Sequence, residues 1–580
     1  MSFQLGLASL NQTPLDWKGN LSRILKALQW GRAQQVSLLA TQELSLTGYG
    51  CEDFFKAAWV YEKSFHILET EILPQTKGIA LSIGLPLLWN NKAYNALCLM
   101  HNQHIMGFYV KQTLAKEGVY YEPRWFHAWE KEKIQTLSRG RKKYPIGEIL
   151  FEIHDTRIGF EICEDAWQSC RPLARYAQKG VQYVINTSAS HFEMGKYEEK
   201  KRLIQQSAQR YKVPYAYVNA LGNEAGKLVY EGDRWIAYPN GRIQEEQRFS
   251  SQDVAHMLVL SKESRKSKIQ IPLSIYEECT QALSLALHDY HQKSEVKGGF
   301  VLSLSGGSDS AMCAVLVSEM RRRYRPQKSI QSLLLSLYQG TENSSAQTAH
   351  QARKLAEEIG NTHITWSVQE EVLSYKKKVE ELIRRKLSWE KDSLALENLQ
   401  ARSRVAGLWL LANLRDALLL NTGNRSELSM GYITTDGDMA GSLAPLGGLS
   451  KAFIQNYLRW AEEELGYKSL REIRKYPPTA ELLPPRFQQQ DEKELMPYQT
   501  LEKIEELFFL NKKSPSEIER ELFGEQEKKI YLPRFLANFR KSQWKRERMA
   551  AAFSMDKFNI DPKTWGRYPI LMGKIDESYS

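Results

Sequence analysis

The sequence predicts an α/β protein with at least two domains, and three observations support this. The chain has 580 residues, which is long enough to bury more than one hydrophobic core. Its first half contains many short apolar strands with helices between them, as in a layered α/β domain. From residue 300 onward strand, helix and strand alternate, which is typical of a doubly wound parallel sheet. We predict domains at residues 1–265 and 274–580, joined by a linker at 266–273 where charged residues and serine accumulate.

The composition is that of an ordinary globular protein, with 42% hydrophobic and 25% charged residues. A net charge of +11 spread over this length suits an anionic substrate, and we expect no nucleic-acid partner. The six cysteines form no Cys-x-x-Cys pair, which argues against a zinc ribbon, and they fit a reducing compartment. We find neither a signal peptide nor an apolar run long enough for a membrane span, so the expected location is cytoplasmic, without a membrane partner.

One motif in the second half predicts an anion site. It follows the apolar run 300–304 and precedes an amphipathic helix, so glycine backbone and a helix N-terminus both face the same point. The carboxylate in its first helical turn could hold a divalent metal against a phosphate. No Gly-Lys-Ser/Thr follows, which excludes a Walker loop, and the alternative is a Ser/Gly turn that binds nothing. The residues of the motif are Ser305, Gly306, Gly307, Ser308, Asp309 and Ser310.

Three residues of the first half stand just past predicted strands: Glu43, Lys111 and Cys163. A thiol must lose its proton to attack, a carboxylate can accept that proton, and an ammonium group can stabilise the resulting oxyanion. Each residue also has an ordinary interpretation, namely a helix cap, a solvated charge and a buried core thiol. Spacing alone leaves both interpretations open.

Local motifs around these residues resemble the nitrilase (carbon–nitrogen hydrolase) superfamily. They are the Glu-Leu-Ser-Leu-Thr-Gly-Tyr run from Glu43, the lysine context at Lys111, and Cys-Glu-Asp-x-Trp from Cys163. With the Ser-Ala-Ser run ending at Ser190, they most resemble the glutaminase domain of glutamine-dependent NAD synthetases. The resemblance implies an αββα sandwich in which Cys163 attacks the glutamine amide. It also implies that Glu43 is the general base and that Lys111 stabilises the tetrahedral intermediate.

The same resemblance implies where glutamine binds. The family positions that hold this substrate correspond to Ser190, Lys196 and Glu117. Arginine is common in the family at the position of Lys196, and tyrosine at that of Glu117. We interpret His191 as a structural residue, because the trio already contains a base.

The second half resembles the ATP pyrophosphatases and, more specifically, the ammonia-dependent NAD synthetase domain. The motifs are the 305–310 loop, Asn-x-Gln-Ala-Arg-x-Arg from Asn398, Thr-Gly-Asn-x-Ser-Glu from Thr422, and Pro-Thr-Ala-Glu-Leu from Pro478. The resemblance implies that ATP contacts the loop together with Thr422, Lys451 and Thr479. It further implies a Mg²⁺ cofactor on Asp309 and Glu427, and deamido-NAD contacts from Arg402, Glu427 and Lys545.

Taken together, the resemblance implies an enzyme that takes ammonia from glutamine and transfers it to deamido-NAD, with ATP as co-substrate. It also implies a homo-oligomer with paired synthetase domains. One alternative is an amidotransferase built from the same two modules but acting on another carboxylate. A second alternative is a tRNA-binding ATP pyrophosphatase, suggested by a basic cluster near the end of the chain. The cluster comprises Lys541, Lys545, Arg546 and Arg548, with Trp544 among them.

Overall fold

The computed structural model describes residues 3–259, 273–476, 481–487, 491–522, 530–573 and 575. The chain divides into two compact units, Met1–Ile275 and Tyr276–Ser580. Of the linker predicted at 266–273, only Leu273 lies within the described residues.

The first unit alternates strands and helices over residues 3–259. Its strands are β1 (Leu5–Leu10), β2 (Leu38–Thr41), β3 (Ala80–Trp89), β4 (Lys92–His101), β5 (His104–Val110), β6 (Ile134–Arg139), β7 (Lys142–Gly147), β8 (Phe151–Ile153), β9 (Thr156–Ile162), β10 (Tyr183–Ser188), β11 (Tyr215–Asn219), β12 (Leu221–Asn223), β13 (Val229–Glu231), β14 (Arg234–Ala237), β15 (Ile243–Glu245) and β16 (Val254–Leu258). Its helices are α1 (Trp17–Ala33), α2 (Ala58–Ile67), α3 (Pro172–Gln178) and α4 (Lys196–Tyr211).

Two sheets form the centre of this unit. Within the described residues, one sheet has the order β16-β1-β2-β3-β4-β5-β7-β6 and the other β15-β14-β11-β10-β9-β8. Side chains such as Leu7, Leu99 and Phe160 fill the space between them. Alternate residues of the same strands face outward, where α1 and α2 cover the first sheet and α3 and α4 cover the second. The predicted αββα sandwich is confirmed.

The second unit contains the parallel sheet. Its strands are β17 (Phe300–Ser303), β18 (Leu334–Gly340), β19 (Thr362–Ser367), β20 (Leu418–Leu420), β21 (Leu443–Ala444) and β22 (Ala551–Ala552). Its helices are α5 (Ile275–Lys293), α6 (Ser308–Tyr324), α7 (Ile330–Leu333), α8 (Ala346–Ile359), α9 (Gln369–Ile383), α10 (Trp389–Arg415), α11 (Arg425–Met430), α12 (Lys451–Trp460), α13 (Leu470–Lys475), α14 (Asp491–Glu494), α15 (Tyr498–Glu505), α16 (Pro515–Leu522), α17 (Tyr531–Lys541) and α18 (Gln543–Arg546).

The strand order in this sheet is β19-β18-β17-β20-β21-β22, and the neighbouring strands are parallel. The chain winds in one direction from β17 to β19 and then crosses to β20 on the other side of β17. Right-handed crossovers therefore place α6 and α8 on one face of the sheet and α10 on the other. The predicted doubly wound sheet is confirmed, and its ligand crevice is expected at the carboxyl ends of β17 and β20.

The apolar residues of the segment 330–337 predict one continuous strand, and this prediction is partly wrong. The first four residues of the segment form α7, because the Ser329 side chain accepts a hydrogen bond from Ser332 N and caps a helical turn. The strand begins only at Leu334. Across the ranges that the structure covers, no helix combines the length and apolar character that crossing a bilayer requires.

Candidate active sites

The trio predicted in the first unit comes together at the carboxyl ends of three strands. Glu43 follows β2, Lys111 follows β5 and Cys163 follows β9. Lys111 Nζ donates a hydrogen bond of 2.6 Å to Glu43 Oε1, and both side chains are fully buried. The charges of both residues act on the Cys163 thiol, which is also buried. The site therefore has a thiol, a carboxylate and an ammonium group as neighbours.

Cys163 lies at the start of a one-turn 3₁₀ helix, Cys163–Trp167, directly after β9. Its φ of +44° is in the left-handed region, where a residue with a side chain costs about 1 kcal/mol or more. Burial and the nearby Glu43 charge raise the pKa of the thiol to about 12, although Lys111 opposes this. The resting thiol is therefore protonated and requires a base.

Glu43 has the environment of such a base. Its Oε1 accepts from Asn95 Nδ2 at 2.6 Å, and its Oε2 accepts from the backbone N–H of Ala189 at 2.9 Å. Burial raises the pKa of Glu43 to about 7, with Lys111 opposing the shift. A carboxyl group with a pKa near neutrality exchanges its proton readily at physiological pH.

A second carboxylate on Lys111, that of Glu122, was missed by the sequence analysis. Lys111 Nζ donates to Glu122 Oε1 at 2.7 Å, and Tyr49 Oη donates to the same oxygen at 2.9 Å. Burial opposes a charge on Lys111, but Glu122 and Glu43 raise its pKa well above the ordinary value, so the ammonium form persists. Glu122 begins a single 3₁₀ turn, Glu122–Arg124, in the connection after β5, and its sequence signal is no more than its position shortly after Lys111.

Gly84 on β3 packs against the backbone that carries Glu43. A Cβ atom at this position would lie 2.1 Å from the backbone nitrogen of Leu44. Gly84 N also donates to Ser45 Oγ at 3.1 Å, and Gly84 O accepts from Leu46 N at 3.0 Å. Only glycine permits this close approach, so Gly84 helps to fix the position of the carboxylate.

Two of the residues predicted to bind glutamine, Ser190 and Lys196, lie near Tyr120, whereas the third, Glu117, is exposed. Lys196 Nζ lies 5.8 Å from the centre of the Tyr120 ring. The backbone N–H of His191, next to Ser190, donates to Tyr120 Oη at 3.0 Å. Tyr120 also interacts electrostatically with Cys163. Glu117 is exposed and bonds to Tyr120 only through its carbonyl oxygen. The family tyrosine was expected at the position of Glu117, and the sequence does contain a tyrosine, Tyr120, three residues later.

His191 contacts Tyr120, in agreement with the structural role predicted from the sequence. Its Nδ1 lies 2.8 Å from Tyr120 Oη, and burial lowers the pKa of the imidazole well below the ordinary value. The ring is therefore neutral and orients Tyr120.

The second site is a cavity of about 970 Å³ at the carboxyl ends of β17 and β20. The residues predicted for ATP or metal that line it are Ser305, Gly306, Gly307, Ser308, Asp309, Thr422, Glu427 and Lys451. Gly306 has a φ of +82°, and a Cβ there would lie 2.3 Å from Thr348 O. Ser310 stabilises the loop, because its Oγ lies 3.1 Å from Ser305 Oγ and donates to Gly307 O.

Two carboxylates and a lysine converge in this cavity. Lys451 Nζ donates to Asp309 Oδ2 and lies 3.6 Å from Glu427 Oε1. Asn424 Nδ2 donates to Asp309 Oδ1 at 3.0 Å. Asn424 also caps α11, where its side chain and that of Glu427 accept hydrogen bonds from each other's backbone N–H. The capping box therefore orients Glu427 towards the loop that carries Asp309.

Asp309 and Glu427 are close enough for both carboxylates to contact the Lys451 ammonium group, so both could also contact one magnesium ion. Carboxylate oxygen is the donor that Mg²⁺ prefers. In the described part of the chain no group of three or more His, Cys, Asp or Glu side chains could hold a metal ion. A magnesium ion here would therefore take its remaining ligands from phosphate oxygens and water.

Of the residues predicted to contact deamido-NAD, Glu427 lines the cavity, whereas Arg402 and Lys545 do not. Arg402 is exposed and donates from Nε to Thr435 O at 3.1 Å. Lys545 Nζ donates to the carbonyl oxygens of Gly431 and Ile433, each at 2.7 Å. Arg404, which was not proposed, does line the cavity, and its buried Nε has no hydrogen-bond partner among the described residues. Thr479 lies outside the described residues.

The basic cluster near the end of the chain is not a continuous charged surface. Arg546 is fully buried and donates to the carbonyl oxygens of Leu428 and Ser429 at 3.1 and 3.2 Å. These bonds to the backbone indicate a structural role, so Arg546 contributes no charge to an exposed basic surface. This removes the main support for the tRNA-binding alternative.

Known proteins resemble the chain over both units. The carbon-nitrogen hydrolase family matches residues 4–258 and the NAD synthase family matches residues 279–549. A glutamine-dependent NAD(+) synthetase from Cytophaga hutchinsonii is 37% identical, with a TM-score of 0.89 over 99% of this chain and 98% of that one. The Drosophila melanogaster glutamine-dependent NAD(+) synthetase is 28% identical over 83% of this chain and 73% of its own length.

A third protein shares the fold. The glutamine-dependent NAD+ synthetase from Acinetobacter baumannii has 22% identity and a TM-score of 0.68 over 98% of both chains. Because the Cytophaga protein is similar over nearly its whole length and both family matches cover the two units in the expected order, the chain belongs to the family of glutamine-dependent NAD(+) synthetases.

Proposed function

We propose that the first unit releases ammonia from glutamine at Cys163 and that the second unit uses it to convert deamido-NAD to NAD. ATP is the co-substrate, as expected for a member of this family. The observation that carries the proposal is the buried contact between Lys111 and Glu43, 2.6 Å long, beside a strained Cys163. A buried charge pair next to a strained thiol is costly for folding, and such features cluster at active sites.

The glutaminase half-reaction follows from these neighbours. Glu43 accepts the thiol proton as Cys163 Sγ attacks the amide carbon of glutamine. Lys111, held charged by Glu122, stabilises the negative charge on the amide oxygen. The C–N bond breaks, Glu43 returns its proton to the leaving nitrogen, and ammonia departs. Water then hydrolyses the γ-glutamyl thioester and releases glutamate.

Glutamine is held, in this proposal, by the residues around Tyr120. Lys196 pairs with the substrate carboxylate as a single-point cation. Ser190 is buried and fixed by Asn219, whose Oδ1 accepts from the Ser190 N–H at 2.8 Å. Tyr120 takes the place in the pocket that the family resemblance assigned to Glu117.

The synthetase half-reaction requires an activated carboxylate. The nicotinate carboxylate of deamido-NAD attacks the α-phosphorus of ATP, pyrophosphate leaves, and ammonia then displaces AMP to form NAD. The 305–310 loop and Thr422 hold the phosphates, and Lys451 turns from Asp309 towards them. A magnesium ion on Asp309 and Glu427 would neutralise phosphate charge. Arg402 and Lys545 remain proposed contacts of deamido-NAD, and we add Arg404 because it lines the cavity.

We also propose that the synthetase units pair in a homo-oligomer. The C-terminal end of α10 exposes Leu410 and Leu414, at 61% and 74% of their surface, one helical turn apart. The edge strand β19 adds Ile364, which is 39% exposed. Large apolar side chains that are exposed to this extent are typical of a contact between subunits. The six free thiols support the cytoplasm as the compartment.

The wild-type protein tests the proposed function directly. With deamido-NAD, ATP and Mg²⁺, we expect NAD and AMP to form in equal amounts from glutamine and also from ammonium. If neither donor supports NAD formation while another carboxylate is amidated, the chain acts on that carboxylate and the deamido-NAD assignment is wrong.

The Gly84→Ala variant should lose glutamine-dependent activity while keeping ammonium-dependent activity. A Cβ at this position would push Leu44 away and carry Glu43 with it. A shift of about 1 Å can lower a rate roughly 100-fold. Comparing the two nitrogen donors in a steady-state NAD assay measures this loss.

Gly140→Ala is the matched control for that variant. Gly140 has a φ of +58° and open space around it, so its replacement strains the backbone without touching the site. If Gly140→Ala reduces glutamine use as strongly as Gly84→Ala, general destabilisation and not the position of Glu43 explains the loss.

Glutamine hydrolysis should decline as the pH falls below about 7. Burial raises the pKa of Glu43 to about 7, so the carboxylate gains a proton through this range and can no longer accept one from Cys163. The measurement is kcat/KM for glutamate release as a function of pH. A profile that is flat from about pH 6 to pH 8 would exclude Glu43 as the base.

A further inference from the structure

We propose that Asp165 is a positioning residue of the glutaminase site. It fixes the position of Lys111, on one sheet, relative to Cys163, on the other. It does not contact the reacting atoms. The inference extends the proposed function, because it assumes that Cys163 and Lys111 act on glutamine.

The carboxylate of Asp165 is fully buried, two residues after Cys163. Its Oδ1 accepts from the backbone N–H groups of Gln112 at 3.0 Å and Thr113 at 2.8 Å. Its Oδ2 accepts from Tyr109 Oη at 2.7 Å and from the N–H of Ile162 at 3.1 Å. One side chain therefore bonds to residues on both sides of Lys111 and to the residue that precedes Cys163.

Three of these bonds, to Tyr109, Gln112 and Thr113, connect the two sheets, and the fourth, to Ile162, ties Asp165 to the end of β9. Lys111 follows β5 of the eight-stranded sheet, whereas Cys163 follows β9 of the six-stranded sheet. Strand pairing fixes positions within each sheet but not between the two, where the contacts are mostly apolar side chains that tolerate small shifts. The directional bonds of Asp165 supply the missing constraint at the point where the reacting groups meet.

An ionised carboxylate satisfies all four contacts by accepting in each of them. All four partners are donors, and a carboxylate accepts on both oxygens. Asparagine would place an NH₂ group against at least one backbone N–H, leaving a buried donor without an acceptor. Burial raises the pKa of Asp165 to about 6, so the carboxylate remains largely ionised at neutral pH.

The test compares Asp165→Asn with Glu161→Gln in the full-length protein. Glu161 is equally buried on β9, just before the 3₁₀ turn that carries Asp165, and it bonds to Arg171, Tyr215 and Leu173 instead of the Lys111 segment. We expect Asp165→Asn to lower kcat for glutamine-dependent NAD formation about 100-fold, with KM for glutamine nearly unchanged. Ammonium-dependent activity should be retained, and Glu161→Gln should not show this selective loss even if its Tm falls equally.

A second readout needs no turnover. Lys111 lowers the pKa of the Cys163 thiol, so displacing Lys111 should slow alkylation of Cys163 by iodoacetamide and move its pH profile upward. Tyr109→Phe removes only one of the four bonds and should shift both readouts in the same direction by less. This milder variant decides the matter if Asp165→Asn does not fold.

Three results would overturn the proposal. They are an unchanged kcat with glutamine, a parallel loss of ammonium-dependent activity, and the same selective loss in Glu161→Gln. If the wild-type protein fails to use glutamine at all, the proposed function fails, and the alkylation profile still decides whether Asp165 positions Lys111 against Cys163.

Discussion

Replacing Cys163 by alanine should abolish NAD formation from glutamine and leave NAD formation from ammonium intact. Alanine removes the only atom that can form the thioester, and losing a nucleophile of this kind typically lowers kcat by roughly 10⁴- to 10⁶-fold. The synthetase residues lie in the other unit and keep their contacts, so externally supplied ammonia can still attack the activated carboxylate. Steady-state rates of NAD formation with each donor provide the measurement.

Cys170→Ala is the appropriate control for that experiment. Cys170 is an exposed free thiol seven residues along the chain, outside the contacts of Glu43 and Lys111. Its replacement should leave both activities unchanged. If Cys163→Ala still uses glutamine at more than a small fraction of the wild-type rate, another group must be the nucleophile.

The Asp309→Asn variant should show the opposite separation, losing NAD formation with both donors while still releasing glutamate from glutamine. Asp309 occupies the first turn of α6 and is bonded to Lys451 and Asn424. Neutralising it removes a proposed magnesium ligand and the hydrogen-bond partner of Lys451, which we assign to phosphate. Loss of outer-shell support alone typically costs 10- to 100-fold, so loss of a ligand should reduce NAD formation by at least about 100-fold.

Glu319→Gln tests whether any change on α6 has this effect. Glu319 lies on the same helix, ten residues or about 15 Å from Asp309, and bonds to Arg322 and Arg323. We expect lower thermal stability with both activities retained. If Asp309→Asn keeps NAD formation within a few-fold of wild type, Asp309 neither binds the metal nor positions Lys451.

Much of the chemistry was visible from local sequence. Glu43, Lys111 and Cys163 each follow a strand, and the carboxyl ends of parallel strands in such folds converge where ligands bind. The 305–310 loop carried its own signal, because glycines between an apolar strand and a helix predict an anion site without any knowledge of distant residues. The prediction of one strand over residues 330–337 was partly wrong, because Ser329 caps a helical turn and the first four residues form α7.

Other site features depend on contacts between distant segments. Glu122 begins a single 3₁₀ turn between β5 and β6, so nothing in its sequence neighbourhood indicates that it shares Lys111 with Glu43. The proposed glutamine pocket includes Tyr120, because the loop after Lys111 brings this residue, and not Glu117, beside His191. Such placements depend on loop geometry, which local propensity does not determine.

By itself, the sequence determined the order of the elements, the chemical groups at their ends and the family to which the chain belongs. These are local properties, set by alternation of apolar residues, by glycine and by short motifs. Only the tertiary structure decided which charges are buried and what they bond to. Arg546 belongs to a cluster of basic residues in the sequence, but it is buried and donates hydrogen bonds to carbonyl groups of α11. Asp165 connects two sheets through partners about fifty residues away in the chain. Burial and hydrogen bonding are set by packing between distant segments, and they determine whether a charged residue supports the fold, positions a reactive group or reacts itself.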